Sequence, residues 1–222
     1  MAEQLSFPLP RLEARGRQAF FVSPANAVAV AQIEDWANWP DKKLILIGPE
    51  GSGKSHLAGV WAGMTEAKVV DATELPKHDL PALAETALVV EDAAGVAGHR
   101  QAEEALFHLH NLMRVAGQPL LLTARVSPQH WRLALPDLLS RMQGTSTATL
   151  ADLDDALLSA LLVKLFSDRQ IAPPPRLIDY CVKRMDRSFA AAQALVQALD
   201  SQALATGKPI GVALAAELLE AR

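Results

Sequence analysis

Residues 48–55 read GPEGSGKS and match the pattern G-x-x-x-x-G-K-[S/T] at every fixed position. This pattern constrains the fold because its glycines let the backbone curl until successive N–H groups point inward, at the start of a helix. The motif needs a buried strand before it and a helix after it. Both are predicted here, since residues 44–47 form a continuous apolar run and a helical stretch extends to about Met64. The segment therefore predicts an α/β domain that binds nucleotide phosphates.

The side chains of this loop have distinct expected roles. The ammonium group of Lys54 is expected to reach the β- and γ-phosphates, and the hydroxyl of Ser55 to coordinate Mg²⁺. ADP or ATP with Mg²⁺ is therefore the predicted cofactor. His56 follows the loop on its helix, and its side chain is expected to pack there rather than to take part in catalysis. The candidate nucleotide-binding residues of this segment are Gly48, Gly51, Ser52, Gly53, Lys54, Ser55 and His56.

Two acids follow a later apolar strand. Residues 87–90 are apolar and are followed directly by Glu91 and Asp92. In domains with this phosphate loop, an acid at the end of a neighbouring strand commonly holds the magnesium ion. One of these acids is expected to act on the metal and the other to orient an attacking water. The pattern leaves open which acid does which.

Strands and helices alternate through the first 150 residues of the chain. Four strands are predicted, at residues 44–47, 68–70, 87–90 and 119–123. The helices between and after them cover residues 54–64 and 102–116, and a further one starts at Pro136. This alternation predicts a parallel sheet in a three-layer α/β domain.

The pattern changes near residue 150. The segments 151–169, 176–184, 188–205 and 212–221 all have a helical period, and Asp152 is the expected N-cap of the first. The first ten residues, which contain two prolines, are expected to be extended. The predicted organisation is therefore an extended tail at 1–10, an α/β domain at 11–149 and a small all-helical domain at 150–222.

Composition excludes several classes of protein. The formal net charge is −4 and no basic stripe is visible, so sequence-specific DNA binding is not expected. No apolar run approaches the roughly 20 residues that span a bilayer. The first ten residues lack the apolar core of a secretory signal. The single cysteine, Cys181, cannot form an internal disulfide, which favours a reducing, cytoplasmic location.

Four segments together resemble a known family. They are GPEGSGKSHL at the phosphate loop, LVVEDAAGVAG with the two acids, LLLTAR and LPDLLSRM. The set is similar to the AAA+ module of the bacterial replication initiator DnaA, and the helical part after residue 150 resembles the lid of that module. No segment resembles the initiator's C-terminal helix-turn-helix domain. With the short tail QLSFPL, the sequence resembles the DnaA-related AAA+ regulators of the Hda type.

The resemblance implies a regulator with two protein partners. Proteins of the Hda type bind the DNA polymerase sliding clamp through an N-terminal peptide, and with DNA-loaded clamp they drive hydrolysis of the ATP bound to DnaA. The matching clamp-binding residues here are Gln4, Leu5, Phe7 and Leu9. An extended peptide can place apolar side chains in a pocket while a glutamine amide makes orienting hydrogen bonds. Arg141, in LPDLLSRM, matches the family's arginine finger, which acts catalytically in a neighbouring subunit.

The sequence departs from the family at the nucleotide site. Glu91 stands where the family has its magnesium-binding aspartate. Ala190 stands where the lid's arginine would face the γ-phosphate, and Arg187 lies one helical turn earlier. Loss of that arginine predicts a protein that holds nucleotide, ADP in particular, and is a poor ATPase by itself. Phe21 and Val22 match the position of apolar contacts to adenine in AAA+ modules and equally fit a core.

Other functions stay open at this point. A stand-alone kinase for a small metabolite would need convergent polar groups in the lid, which is instead rich in Leu and Ala. A DnaA-like helicase loader would need basic or aromatic groups for single-stranded DNA, and these are sparse. The sequence also leaves open whether the protein forms a homodimer or a mixed assembly with the initiator.

Overall fold

The computed structural model describes residues 22–23 and 26–220. Its strands are β1 (Lys43–Ile47), β2 (Lys68–Asp71), β3 (Leu88–Glu91), β4 (Leu120–Ala124) and β5 (Thr147–Thr149). Its α-helices are α1 (Ala27–Glu34), α2 (Lys54–Thr65), α3 (Leu80–Leu83), α4 (Arg100–Ala116), α5 (Pro136–Gly144), α6 (Asp155–Ser167), α7 (Pro175–Val182), α8 (Phe189–Thr206) and α9 (Val212–Glu220).

The strands form one parallel sheet with β1 in its interior. Their order is β2-β3-β4-β1-β5, and every pairing is parallel. Strand β1 pairs with β4 on one side and with β5 on the other, so that Ile45 lies opposite Leu122 and Thr147. Every residue of β1 is buried. A strand without an exposed face requires apolar layers above and below the sheet.

Those layers are two apolar clusters, one on each face of the sheet. Ile45 and Ile47 pack in the cluster that contains α4, whereas Leu44 and Leu46 pack in the cluster that contains α1 and α2. This division arises because successive side chains of a strand point to opposite faces. Trp61 of α2 is fully buried in the second cluster. The prediction of a three-layer α/β fold with a parallel sheet is confirmed.

The edge strand β5 is not indicated by the sequence pattern. Its residues are Thr147, Ala148 and Thr149, and the two threonines are exposed. So short a segment with one buried side chain lacks the apolar run that marks the inner strands. Its conformation depends instead on pairing with β1, which is distant along the chain.

The helices α6 to α9 enclose a further apolar cluster, as predicted for the region after residue 150. Its buried members include Leu162, Phe166, Cys181 and Leu199. Burial raises the pKa of the Cys181 thiol to about 11, so this cysteine is a packing residue. None of the helices in the described residues has the length and apolarity needed to cross a membrane.

The start of α6 corrects one expectation. Asp154, and not Asp152, is the N-cap of this helix, because its Oδ1 accepts a hydrogen bond from the N–H of Leu157 at 2.7 Å. The residues just before Asp154 are not helical. Among them, Leu153 is 1% exposed, and its burial holds this stretch of chain against the core.

Asp154→Ala is expected to lower the free energy of unfolding by about 1 kcal/mol, because a backbone N–H of α6 loses its acceptor. Asp152→Ala is the matched control: Asp152 is exposed, and its removal is expected to change stability by less than about 0.5 kcal/mol. Urea denaturation followed by circular dichroism measures both. Equal denaturation midpoints for the two variants would contradict the assigned cap.

Candidate functional site

The loop between β1 and α2 has the backbone conformation of an anion cradle. Gly51 has a φ of 76° and Gly53, the N-cap of α2, a φ of 95°, both in the left-handed region that favours glycine. A Cβ atom at Gly48 would lie 2.7 Å from Ser52 Oγ and 2.8 Å from the carbonyl oxygen of Leu150. The three glycines are therefore required by backbone conformation or by close contacts.

Two polar side chains of the loop fit a bound phosphate. Ser52 is 4% exposed, and its Oγ has no hydrogen-bond partner among the described residues. The Nζ of Lys54 donates to the carbonyl oxygens of Gly48 (2.7 Å) and Pro49 (2.6 Å). Burial lowers the pKa of Lys54, and the charge of Arg125 lowers it further. A phosphate anion would supply an acceptor to Ser52 and would favour the charged form of Lys54.

Arg125 adds a second cation beside this loop. It follows β4, and its Nη1 lies 2.5 Å from Oε2 of Glu50 in the loop. Both side chains are more than half exposed, so the ion pair contributes little to stability. Its position brings a guanidinium to the phosphate loop. In the sequence it is the last residue of the segment LLLTAR, directly after a buried strand.

The acids at the end of β3 lie at the same edge of the sheet as the phosphate loop, because the carboxyl ends of parallel strands share one edge. Glu91 ends β3, and Asp92 follows with a φ of 50°. The N–H of Asp92 donates to Thr123 Oγ1 on β4 at 3.1 Å. Both carboxylates act to raise the pKa of Lys54. Carboxylate oxygens, like the hydroxyl oxygen of Ser55, are donors of the kind that Mg²⁺ prefers.

The first turn of α8 rests directly on the phosphate loop. The N–H of Phe189 donates to the carbonyl oxygen of Gly51 at 2.9 Å. A Cβ atom at Gly51 would lie 2.2 Å from Ser188 Cβ, and one at Gly53 would lie 2.7 Å from the Phe189 ring. That ring also lies 5.6 Å from the His56 ring, centroid to centroid. Burial lowers the pKa of His56, so it is a neutral packing partner of Phe189 at neutral pH.

The lid meets the loop without an arginine in the expected place. Ala190 is exposed on α8. Arg187 pairs through Nη2 with Asp155 at 2.5 Å, and its Nη1 donates to the carbonyl oxygen of Leu153 at 3.2 Å. Arg187 therefore ties the segment before α8 to the start of α6, within the helical part of the chain. The contact with the loop is made by Phe189, which the sequence patterns did not indicate because a phenylalanine there reads as an ordinary core residue.

Arg141 lies at the other end of β1 from the phosphate loop. It belongs to α5 and lines a cleft of about 490 Å³ together with Lys43 and His110. Lys43 is the first residue of β1, whereas the loop begins after its last residue, Ile47. Four residue steps of about 3.3 Å separate the two ends of the strand by about 13 Å. No ion pair of the described residues involves Arg141.

The cleft beside Arg141 contains a buried lysine. Lys43 is 2% exposed, and its Nζ donates to the carbonyl oxygen of His110 at 3.0 Å and lies 3.3 Å from Nδ1 of the same residue. Burial lowers the pKa of Lys43 to about 8. Burial, and after it the charge of Lys43, lowers the pKa of His110 to about 3. His110 is therefore a neutral neighbour of a charged Lys43 at neutral pH.

Several candidate residues fall outside the described part of the chain. These are the predicted clamp-binding residues Gln4, Leu5, Phe7 and Leu9, and the predicted adenine contact Phe21. Val22 is described, and it packs against the apolar cluster that contains α1 and α2.

No protein-family model matches the sequence. The fold is similar to that of solved structures of AAA+ proteins. Domain III of the replication initiation protein DnaA from Thermotoga maritima matches with a TM-score of 0.76 at 20% identity, over 90% of this chain and 93% of that one. AMPPCP-bound DnaA from Aquifex aeolicus matches with a TM-score of 0.70 at 14% identity, over 82% and 63% of the two chains. A point variant of RuvB from Thermotoga maritima matches with a TM-score of 0.65 at 18% identity, over 88% and 66%.

These likenesses establish the architecture. The chain has the α/β AAA+ fold of DnaA domain III, with the helical part that follows it. It spans slightly less than two thirds of the solved Aquifex aeolicus DnaA chain. At identities of 14–20% the shared feature is the fold.

Gly51→Ala is expected to displace the lid from the phosphate loop, because the new Cβ would overlap Ser188 and alanine disfavours a φ of 76°. We expect the free energy of unfolding to fall by about 1–2 kcal/mol and the Phe189 amide to lose protection from hydrogen exchange. Gly59→Ala is the control, since Gly59 lies inside α2 with open space around it; it is expected to stabilise by about 0.5–1 kcal/mol. Unchanged protection of the Phe189 amide in Gly51→Ala would refute the assigned contact.

Proposed function

We propose that this protein is a nucleotide-binding regulator of replication initiation, of the Hda type. In this proposal Gln4, Leu5, Phe7 and Leu9 bind the DNA polymerase sliding clamp. Arg141 is supplied in trans to the ATP site of DnaA and stimulates hydrolysis there, which converts the initiator to its ADP form. The fold that the chain shares with DnaA domain III supports this role, because an arginine finger can be supplied from a neighbouring molecule.

The observation that carries the proposal is the place of Arg141. A side chain beside Lys43 is separated from its own phosphate loop by the length of β1, about 13 Å. An arginine that matches the family's finger but stands this far from its own site is suited to a nucleotide held by a neighbour. Its guanidinium forms no ion pair among the described residues, which supports its availability to that partner.

The expected mechanism at the partner's site is electrostatic. A guanidinium has donors in a planar fork that can bind two phosphate oxygens at once. Brought to the γ-phosphate, Arg141 would neutralise charge that develops during transfer to water, an effect worth roughly 10³ to 10⁵ in rate in GTPases. The neighbour then supplies the nucleotide and the attacking water, and this chain supplies the cation.

The protein's own nucleotide has a supporting role in the proposal. Lys54 and the backbone N–H groups of the loop would hold the phosphates of ADP or ATP. Ser55 and Glu91, with Asp92 as the alternative acid, would hold Mg²⁺, which neutralises phosphate charge when bound. Because Ala190 brings no cation to the γ-phosphate, that position gives ATP no advantage over ADP, and hydrolysis by this chain alone is slow.

Lys54→Ala is expected to weaken ADP binding about tenfold or more, because a loss of about 1.4 kcal/mol is enough for that factor. Lys42→Ala serves as the control, since Lys42 is exposed and its Nζ donates to the carbonyl oxygen of Gly117, away from the loop. Isothermal titration calorimetry with Mg²⁺ and ADP measures both.

Clear multiple turnover of ATP by the isolated wild-type protein would contradict the expectation of a poor ATPase.

Hydrolysis of ATP bound to purified DnaA, with clamp loaded on DNA, tests the main proposal. Wild-type protein is expected to stimulate it, and Arg141→Ala to lose the stimulation by about a hundredfold or more. The double variant Gln4→Ala/Leu5→Ala is expected to lose the clamp-dependent stimulation while it still binds ADP. Arg132→Ala, an exposed arginine ahead of α5, is the control.

Two results would count against the proposal in different ways. Full stimulation by Arg141→Ala would remove the finger role. Absence of both stimulation and clamp binding in the wild type would leave a nucleotide-binding AAA+ module without the proposed partners.

A further inference from the structure

A buried carboxylate on α4 has no role in the site described so far. Glu103 is 1% exposed, and its side chain accepts three backbone hydrogen bonds. Oε1 accepts from the N–H of Gly98 at 3.0 Å and of Ala134 at 3.1 Å, and Oε2 accepts from the N–H of Leu135 at 2.8 Å. One carboxylate thereby joins two separate segments of the chain.

Glu103 stays ionised in this position. Burial by itself raises the pKa of Glu103, but the three N–H donors together outweigh burial and hold the pKa below its ordinary value. No ion pair of the described residues involves this side chain, so the N–H groups are its partners. Hydrogen bonds to a charged acceptor are about twice as strong as neutral ones. The carboxylate is therefore a firm link between the segments.

The first segment leads back to the candidate nucleotide site. Gly98, with a φ of 82°, comes soon after the short 3-10 helix Ala93–Val96, whose N-cap is Asp92. The N–H of Gly95 donates to the carbonyl oxygen of Asp92 at 2.7 Å. Glu103 therefore holds the far end of the turn that begins at Asp92.

The second segment is the start of α5. Leu135 is the N-cap of this helix and Pro136 its first residue. Leu135 has no side-chain oxygen with which to cap the helix, and proline has no N–H, so Glu103 binds the two N–H groups just ahead of it. A negative charge at a helix N-terminus is also favourable. Because Arg141 lies on this short helix, its position depends on how the N-terminus is held.

We infer that Glu103 is a positioning residue for Arg141. The inference rests on the proposed function, in which Arg141 meets a phosphate of a neighbouring molecule. A misplacement of about 1 Å can lower a rate about a hundredfold, so the anchoring of α5 matters to the outcome. The same carboxylate also binds the turn that begins at Asp92. It therefore helps to fix the distance between Arg141 on α5 and Asp92 at the nucleotide site.

Glu103→Gln tests this inference with little change in shape. The amide keeps one acceptor oxygen, but its NH₂ group faces an N–H donor, so at least one of the three bonds is lost. We expect the maximal rate of ATP hydrolysis on DnaA to fall about tenfold or more. The half-saturating concentration of the regulator and its own ADP binding are expected to stay unchanged. Glu104→Gln is the control, because Glu104 is half-exposed and pairs with Arg100 at the surface.

A double variant separates positioning from a general loss of stability. If Glu103 acts through Arg141, adding Glu103→Gln to Arg141→Ala leaves the residual rate unchanged. A further fall in the double variant, or an unchanged maximal rate in Glu103→Gln alone, overturns the inference. If the wild type gives no stimulation, the proposed function fails and the inference falls with it, a result distinct from either of these.

If Glu103→Gln does not fold, Leu135→Pro tests the same hydrogen bond from the donor side. It removes one N–H donor and leaves the carboxylate in place, and the φ of Leu135, −89°, needs to change by only about 10° to enter the range that proline adopts. Leu135→Ala is its control, because it loses the same side chain but keeps the N–H. A lower maximal rate for the proline variant than for the alanine variant supports the inference, and equal rates overturn it.

Discussion

The burial of β1 on both faces is the constraint on which the arrangement of this molecule depends. A shift of the strand by one residue would break the contact of Lys43 with His110 at one end and would move the phosphate loop at the other. The positions of both ends of β1 are therefore fixed relative to the core. The separation between the phosphate loop and Arg141 follows from the length of a buried strand, and side-chain rotation cannot remove it.

The two buried charges of Lys43, in β1, and Glu103, in α4, are stabilised in different ways. The ammonium group of Lys43 lies against a carbonyl oxygen and a neutral imidazole, and burial lowers its pKa to about 8. The carboxylate of Glu103 instead accepts three N–H groups, and its pKa falls below the ordinary value. The Glu103 carboxylate, with three N–H donors, can hold two segments together. The Lys43 ammonium group forms no ion pair among the described residues, so it loses its proton more easily than an exposed lysine does.

The sequence was informative where burial leaves a local pattern. Strands β1 and β4 are apolar throughout because both faces are covered, and the phosphate loop has fixed residues because the backbone requires glycine. The edge strand β5 depends on pairing with a distant segment, and no local pattern reports that. The sequence predicts Asp152 as the N-cap of α6, but the cap is Asp154, and the hydrogen bond from the Leu157 N–H that identifies it is a detail of backbone geometry. The bonds of Glu103 reach segments far along the chain, so no local pattern indicates them.

The bond between the lid and the phosphate loop is made by main-chain atoms, the N–H of Phe189 and the carbonyl oxygen of Gly51. Such a bond survives almost any replacement of the side chain at position 189, and only proline would abolish it. The hydrogen bond between the lid and the loop is therefore insensitive to most substitutions at position 189. A related protein with another side chain there would lose the packing of the Phe189 ring on the loop but would keep this hydrogen bond.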